Sequence, residues 1–257
     1  MIPVATEATV TACETLGAYR VLTFRAPQVA SGARPGQFVN IASEHAFLRR
    51  PFSVYMLDRA LGTVSVAFDA IGDGTRWLGA RAPGDALDIV GPLGHGFEVP
   101  EPDGGADLIV GGGYGSAALA FLADELAQRG REVVALLGAR TAARLFIDDT
   151  LRGSCNSIHT TTDDGSEGHP GIVTDLLADI VRSRNITTIY ACGPMRMLEA
   201  VAAAAPVRAQ LAVEEFMACG LGVCWTCVLP VRVGNDVKHL RACTEGPVFA
   251  AEAVAWA

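Results

Sequence analysis

Apolar and polar positions alternate through much of the first hundred residues. The period of two is clearest in YRVLTFRAP (19–27), GQFVNIAS (36–43), PFSVYMLD (51–58) and TVSVAFDAIG (63–72). It predicts four short strands, each with one buried and one solvated face. ARPGQ, LGT and APGD place Gly and Pro around them, where the chain must reverse. Short, closely spaced strands of this kind predict a small antiparallel β-barrel over residues 1–100. One short helix is expected over GTRWLGAR (74–81).

The rhythm changes after PEPDGGA (100–106), which reads as a linker. ADLIVGGG, REVVALLGA, ITTIYACG and AQLAVEE are strand-like apolar runs. SAALAFLADELAQRG, GIVTDLLADIVRSRN and PMRMLEAVAAAA carry the 3.6-residue period of helices, the last opened by Pro194. Alternating strands and helices predict a parallel sheet covered on both faces over residues 101–215. From residue 216 the texture shifts again, to a cysteine-rich loop and a short β-rich tail ending at 257. The expected fold class is multidomain, β plus α/β with a small C-terminal unit.

Composition narrows the function. Half of the 257 residues are apolar and only 19% are charged, enough to bury cores and to leave apolar surface for a cofactor or partner. The net charge of −8 argues against nucleic acid as a partner. Lys238 is the single lysine beside 19 arginines, which carries no functional reading. The first residues lack a basic stretch followed by an apolar core, so no signal peptide is expected. No apolar run approaches the roughly 20 residues of a membrane span. The expected compartment is the cytoplasm, where thiols stay reduced.

Several motifs carry chemistry. GGGYGS (111–116) follows a predicted strand and opens a helix, a place where backbone approaches a pyrophosphate. Its other reading is a tight turn, since Ala117 and Ala118 replace any third glycine of a strict dinucleotide fingerprint. YACGPMRM (190–197) ends a strand at Cys192 before a Gly-Pro turn. Ligands in open α/β sheets bind at such strand ends, and a buried structural cysteine is the alternative. RRPFSVY (49–55) offers Arg50 for a phosphate and Ser53 for a heterocycle edge, or else an ordinary barrel edge. Gly74 and Thr75 in IGDGTRW form another possible phosphate seat. His95 in GPLGHGF reads as a loop residue.

The cysteines are the most specific signal. Cys219, Cys224 and Cys227 have the spacing C-x4-C-x2-C, and Cys243 follows 16 positions later. This is the plant-type [2Fe–2S] arrangement, four thiolates for two irons. A zinc site usually needs a second C-x2-C pair, and a disulfide staple is disfavoured in a reducing compartment. Gly220 and Gly222 leave amides free to point at cluster sulfurs. Cys13 and Cys155 read as small buried hydrophobes.

The order of these motifs resembles the ferredoxin–NADP reductase superfamily. More narrowly, EEFMACGLGVCWTC followed by RACTEGPVF resembles the electron-transfer subunits of type B (NAD-linked) dihydroorotate dehydrogenase. The resemblance covers essentially the whole chain. It implies an FAD-binding barrel (1–100), an NAD-binding α/β domain (101–215) and a [2Fe–2S] domain (216–257). It places Arg50, Pro51, Phe52 and Ser53 in the flavin motif, Ala67, Phe68 and Asp69 on the next flavin-contacting strand, and Gly74 and Thr75 at the phosphate turn. Gly112, Gly113 and Gly115 border the nicotinamide dinucleotide. Cys192, Gly193 and Pro194 lie beside the nicotinamide, Cys192 being the candidate catalytic residue. Cys219, Cys224, Cys227 and Cys243 are the implied cluster ligands.

Ala118 departs from the proline many relatives carry. Asp73 is acidic inside the flavin phosphate turn, and Trp225 is bulky between two ligands.

The resemblance implies an oxidoreductase subunit relaying electrons between NAD(H) and an FMN-containing dihydroorotate dehydrogenase subunit, in a heterotetramer of two of each. Nicotinamide moves two electrons and the cluster one, so a flavin must stand between them. A reductase feeding a hydrogenase, sulfite reductase or oxygenase is the alternative. A zinc-stapled, non-catalytic interaction subunit is the alternative of another class. After VVALLGA, Arg140 and Arg144 appear without an acidic ribose clamp, so the preference for NAD rests on the resemblance.

Overall fold

The computed structural model describes residues 2–44, 46–101 and 104–256. Pro102 and Asp103 of the expected linker lie outside the described residues. Six antiparallel strands close the N-terminal barrel in the order β1-β2-β5-β4-β3-β6. They are β1 (Val4–Leu16), β2 (Tyr19–Arg25), β3 (Phe38–Ser43), β4 (Ala46–Asp58), β5 (Thr63–Phe68) and β6 (Ala86–Leu93). The period of two is literal in β5, where Val64, Val66 and Phe68 point inward. Leu22 and Phe24 of β2 and Val39 and Ile41 of β3 meet them in the barrel core. Two short helices flank the barrel, α1 (Pro27–Ala30) and α2 (Asp73–Gly79), the second where a helix was predicted.

The α/β unit contains β7 (Ala106–Gly112), α3 (Gly115–Gln128), β8 (Val133–Ala139), α4 (Asp149–Ser154) and β9 (Ser157–Thr162). It continues through β10 (His169–Pro170), α5 (Val173–Ser183), β11 (Ile186–Cys192), α6 (Met195–Ala204) and β12 (Arg208–Ala212). The sheet order is β10-β9-β8-β7-β11-β12-β15, where β15 is Val248–Ala250. Neighbours are parallel except β12 and β15, which pair antiparallel through Leu211 and Phe249. Helices cover both faces, so β7 and β8 are buried almost end to end and read as continuous apolar runs.

Helix α5 keeps a clean stripe: Val173, Leu177, Ile180 and Val181 are buried on one face. Helix α3 has no such polar face, because it lies between sheet and barrel. Its Leu119, Leu122 and Leu126 pack with the sheet, and Phe121 enters the barrel core. Beneath it, Asp107 and Arg131 form a buried ion pair.

The tail beyond residue 216 contributes to two sheets. Strands β13 (Val228–Val233) and β14 (Asp236–Arg241) form a separate hairpin after the cysteine loop, and β15 then returns to the larger sheet. No helix among the described residues is long and apolar enough to cross a membrane.

Candidate functional site

The seam between barrel and sheet holds a cavity of about 300 Å³. Pro51, Phe52 and Ser53 of β4 form one wall, with Ala67 and Phe68 of β5 and the following Asp69. The rings of Phe52 and Phe68 stand 5.1 Å apart, tilted by 44°. Gly115 and Cys192 face them from the α/β unit, and Thr75 closes one end. Phe38 and Met217 close the side toward the cysteine loop.

Arg50 does not line this cavity. It stands at the first turn of α2, where a Cβ on Gly74 would come 3.6 Å from Arg50 Nε and 3.4 Å from Ser43 Oγ. The bare glycine therefore leaves a small cradle beside a guanidinium. Ser43, missed in the sequence, is buried there with its hydroxyl unpartnered. A phosphate oxygen is the kind of group that accepts from such a hydroxyl and guanidinium. Asp73 does not intrude: it is 80% exposed and bonds Arg76 at 2.7 Å.

A second cavity, about 560 Å³, opens at the carboxyl ends of β7, β8 and β11. Gly112, Gly113 and Pro194 line it, as do Arg140, Arg196, Thr161 and Asp163. Gly193 lines neither cavity. It lets the two turns touch, since a Cβ there would lie 3.0 Å from the Gly112 backbone. Thr161 is fully buried with an unpartnered Oγ1, a free hydrogen-bonding group at the cavity wall.

The two arginines after β8 behave differently. Arg144 is committed to an ion pair with Asp69, and its carbonyl accepts the Tyr19 hydroxyl at 2.7 Å. Asp163, next to the end of β9, supplies an acidic group that the sequence reading did not find. The carboxylate comes from the end of β9, the strand beside β8, rather than from the loop after β8.

Asp69, Tyr114 and Glu214 border both cavities. Burial, and secondarily the nearby Glu214 carboxylate, push the pKa of the Tyr114 hydroxyl well up. Glu214 is open to the cavities, yet desolvation by the surrounding protein pushes its pKa up. Burial, and secondarily Glu214, push the Cys192 thiol well up, so Cys192 stays protonated near neutrality. A protonated thiol is a wall and a weak donor rather than a nucleophile. His95 lines neither cavity; its backbone N–H donates to the Gly246 carbonyl at 2.6 Å.

Cys227 and Cys243 are buried, while Cys219 is half-buried and Cys224 exposed. Cys224 is influenced by Cys219, and Cys243 by Cys227 and Cys219, so the four thiols lie near one another. Among the described residues no three His, Cys, Asp or Glu side chains converge to hold one metal ion. Four neighbouring thiols are a donor set that suits a binuclear centre with two thiolates per iron. The loop also turns donors toward sulfur. Leu221 N–H donates to Cys219 Sγ at 3.4 Å, and the Thr226 hydroxyl to Cys224 Sγ at 3.1 Å.

Arg241 clamps this loop: it donates to the Gly222 carbonyl at 2.8 Å and to Glu245 through two nitrogens. Its guanidinium also lies 4.8 Å from the Trp225 ring centroid. Trp225 itself has φ +59°. Asn40 of β3, buried in the barrel wall, donates to the Cys219 carbonyl at 3.1 Å and ties the loop to the first cavity's side of the barrel.

Comparison with known proteins agrees with this layout. The family described as the iron-sulfur cluster binding domain of dihydroorotate dehydrogenase B matches residues 214–255. The chain is 40% identical over 235 residues to the dihydroorotate dehydrogenase B (NAD(+)) electron transfer subunit of Bacillus caldolyticus, covering 90% of each chain. The corresponding subunit of Desulforamulus reducens is 36% identical over 241 residues, covering 91% of this chain and 92% of that one. Among solved structures, an NADH-dependent reduced ferredoxin–NADP oxidoreductase superposes with a TM-score of 0.86 at 30% identity, over 97% of this chain and 90% of that one. A ferredoxin–NADP⁺ reductase from Neisseria gonorrhoeae, 18% identical with a TM-score of 0.64, covers 78% of this chain and 89% of its own and shares the fold. Identity at this level along nine-tenths of both chains settles the family: the chain belongs to the electron-transfer subunits of NAD-linked dihydroorotate dehydrogenase B.

Proposed function

We propose that this chain relays electrons between NAD(H) and an FMN-containing dihydroorotate dehydrogenase subunit, through FAD and a [2Fe–2S] cluster. One observation carries the reading. The two cavities share Asp69, Tyr114 and Glu214, and the cysteine loop reaches the first through Met217 and is bonded to the barrel by Asn40. A two-electron site, a converter site and a one-electron site thus lie in series. When bound, FAD exchanges electrons in pairs with nicotinamide and singly with an iron–sulfur cluster.

The chain's own residues bind, orient and exclude water. Phe52 and Phe68 present apolar rings to the flavin cavity, and Ser53 offers a hydroxyl to a ring edge. Arg50, Ser43 and the bare Gly74 hold the pyrophosphate, and Thr75 and the Ala67–Asp69 segment flank the flavin. Gly112, Gly113, Gly115, Gly193 and Pro194 bring the backbone close to the dinucleotide, and Arg140 and Arg196 supply cations for its phosphates. Asp163 accepts from a ribose hydroxyl, which favours NAD over NADP because a 2′-phosphate would face a carboxylate. Cys192 forms part of the nicotinamide wall. Cys219, Cys224, Cys227 and Cys243 would hold the cluster's two irons.

Phe216, Leu221, Val223 and Trp225 are all exposed around the cysteine loop. A cluster of exposed apolar side chains at the one-electron terminus supports a protein partner docking there. The proposed assembly is a heterotetramer of two of each subunit, and the proposed compartment is the cytoplasm, where seven free cysteines stay reduced.

The test is purification and reconstitution. The chain should carry flavin and [2Fe–2S] absorption bands. With its FMN-containing partner it should reduce NAD⁺ at the expense of dihydroorotate. A colourless, zinc-loaded protein would sink the relay. A coloured protein whose complex is not reduced by dihydroorotate would sink the partner assignment alone.

A further inference from the structure

Arg144 ends the short turn Ala142–Arg144 that follows β8, and it lines the second cavity. Two bonds tie it to the barrel. Its guanidinium pairs with Asp69, the residue after β5, and its carbonyl accepts the Tyr19 hydroxyl of β2 at 2.7 Å. Tyr19 is buried, whereas 45% of the Arg144 side chain is exposed. The root of this arginine is therefore held, while its head is open to solvent. An ion pair so exposed is worth little. It engages one nitrogen, Nη1, of a guanidinium that has five N–H donors.

The second cavity also takes Arg140 and Arg196 into its wall, but with them come the carboxyl groups of Asp69, Asp163 and Glu214. A dianionic diphosphate gains from every further cation that the wall can release. Resting on the reading of this cavity as the dinucleotide site, we propose that Arg144 is its third diphosphate-binding cation. Asp69 holds it while the cavity is empty, and the guanidinium exchanges carboxylate for phosphate when the ligand arrives. The magnitudes favour the exchange. A charge-assisted bond from guanidinium to phosphate is worth about 10-fold to 100-fold in affinity, and the exposed pair that it replaces up to about fivefold. The Tyr19 hydroxyl keeps the Arg144 backbone in place, so only the side chain has to move.

Calorimetric binding of ADP-ribose and of adenosine to four holoproteins tests the exchange: wild type, Arg144→Gln, Asp69→Asn and the double variant. Flavin and cluster absorbance per chain confirms that each is folded. Arg144→Gln weakens ADP-ribose about tenfold and leaves adenosine, which carries no phosphate, unchanged. Asp69→Asn frees the guanidinium beforehand, so ADP-ribose binds up to about fivefold more tightly. In the double variant most of that gain disappears, because the arm it released is gone.

ADP-ribose affinity within about twofold of wild type in Arg144→Gln overturns the third cation and leaves the ion pair a clasp between barrel and sheet. A loss shared equally by adenosine makes Arg144 a structural prop and overturns its role as a phosphate ligand. An Asp69→Asn gain of the same size with and without Arg144 overturns the exchange, since the carboxylate then acts by repulsion alone. Wild-type holoprotein that does not bind ADP-ribose overturns the dinucleotide reading itself, and the exchange with it.

Discussion

Trp225→Gly separates what the cysteine loop needs for itself from what it offers a partner. Trp225 has φ +59°, a conformation costing an L-residue about 1–2 kcal/mol, which glycine avoids. Against that gain stand the lost contact with Arg241, worth about 0.5–1 kcal/mol at an exposed site, and about 0.5–1 kcal/mol of glycine entropy. These terms cancel to within about 1 kcal/mol, so urea unfolding of the isolated holoprotein should scarcely move.

Docking is different. A tryptophan carries up to about 250 Å² of buriable surface. With 57% of Trp225 exposed, about 140 Å² of it remains free to meet a partner. At about 25 cal/mol per Å² that is at most about 3.5 kcal/mol, or about 300-fold in Kd. Part of such a gain is consumed in ordering the interface, so a loss of about 30-fold to 300-fold is expected. Titration of the purified partner subunit reads the loss, and visible absorbance verifies that the cluster is retained. Partner affinity within about threefold of wild type would refute the placement of Trp225 in the docking face. A stability loss beyond about 2 kcal/mol would instead make the ring a structural element.

Cys227→Ser should abolish the cluster bands while FAD stays bound, because Cys227 is buried below the loop and lines neither cavity; simultaneous loss of flavin would show that loop and barrel do not separate. Asn40→Ala removes the bond to the Cys219 carbonyl, worth about 1 kcal/mol, and should speed bleaching of the cluster by a chelator without changing FAD content. Equal bleaching rates would make Asn40 a bystander. Asp107→Asn removes the carboxylate charge that the buried Arg131 guanidinium pairs with and should cost about 3–5 kcal/mol in urea unfolding. Joint replacement by Asp107→Leu and Arg131→Met should recover most of that, and a double variant as unstable as the single one would contradict the account.

The strands legible from sequence were those with one consistent environment. β5 alternates because one face meets the barrel core, and β7 and β8 are continuous because helices cover both faces. β1 escaped because few of its thirteen residues are buried, Ala8 and Val10 among them. β6 escaped because alternation gives way to a fully buried stretch from Ile89 onward. α4 and β9 are short, and Ser157–Thr162 is only half-buried over most of its length. β15 has three residues, too few to carry a period, and its partner β12 lies more than thirty residues earlier.

The same distinction runs through the site. Chemistry confined to one stretch announces itself: four cysteines at a fixed spacing, or Gly-Gly-Gly after a strand. Chemistry shared between stretches does not. Ser43, Thr161 and Thr244 are ordinary hydroxyls in sequence, yet each is buried without a partner at a different place: the α2 cradle, the dinucleotide cavity and the cysteine loop. An unpartnered buried hydroxyl costs about 1–3 kcal/mol unless something supplies the missing bond. The trio Asp69, Tyr114 and Glu214 makes the same point across the longest reach. It draws one residue from the end of β5, one from the turn after β7 and one from the segment after β12. Their meeting is fixed by how α3 wedges the sheet against the barrel, so the passage between the two cavities follows from packing that neither half encodes alone.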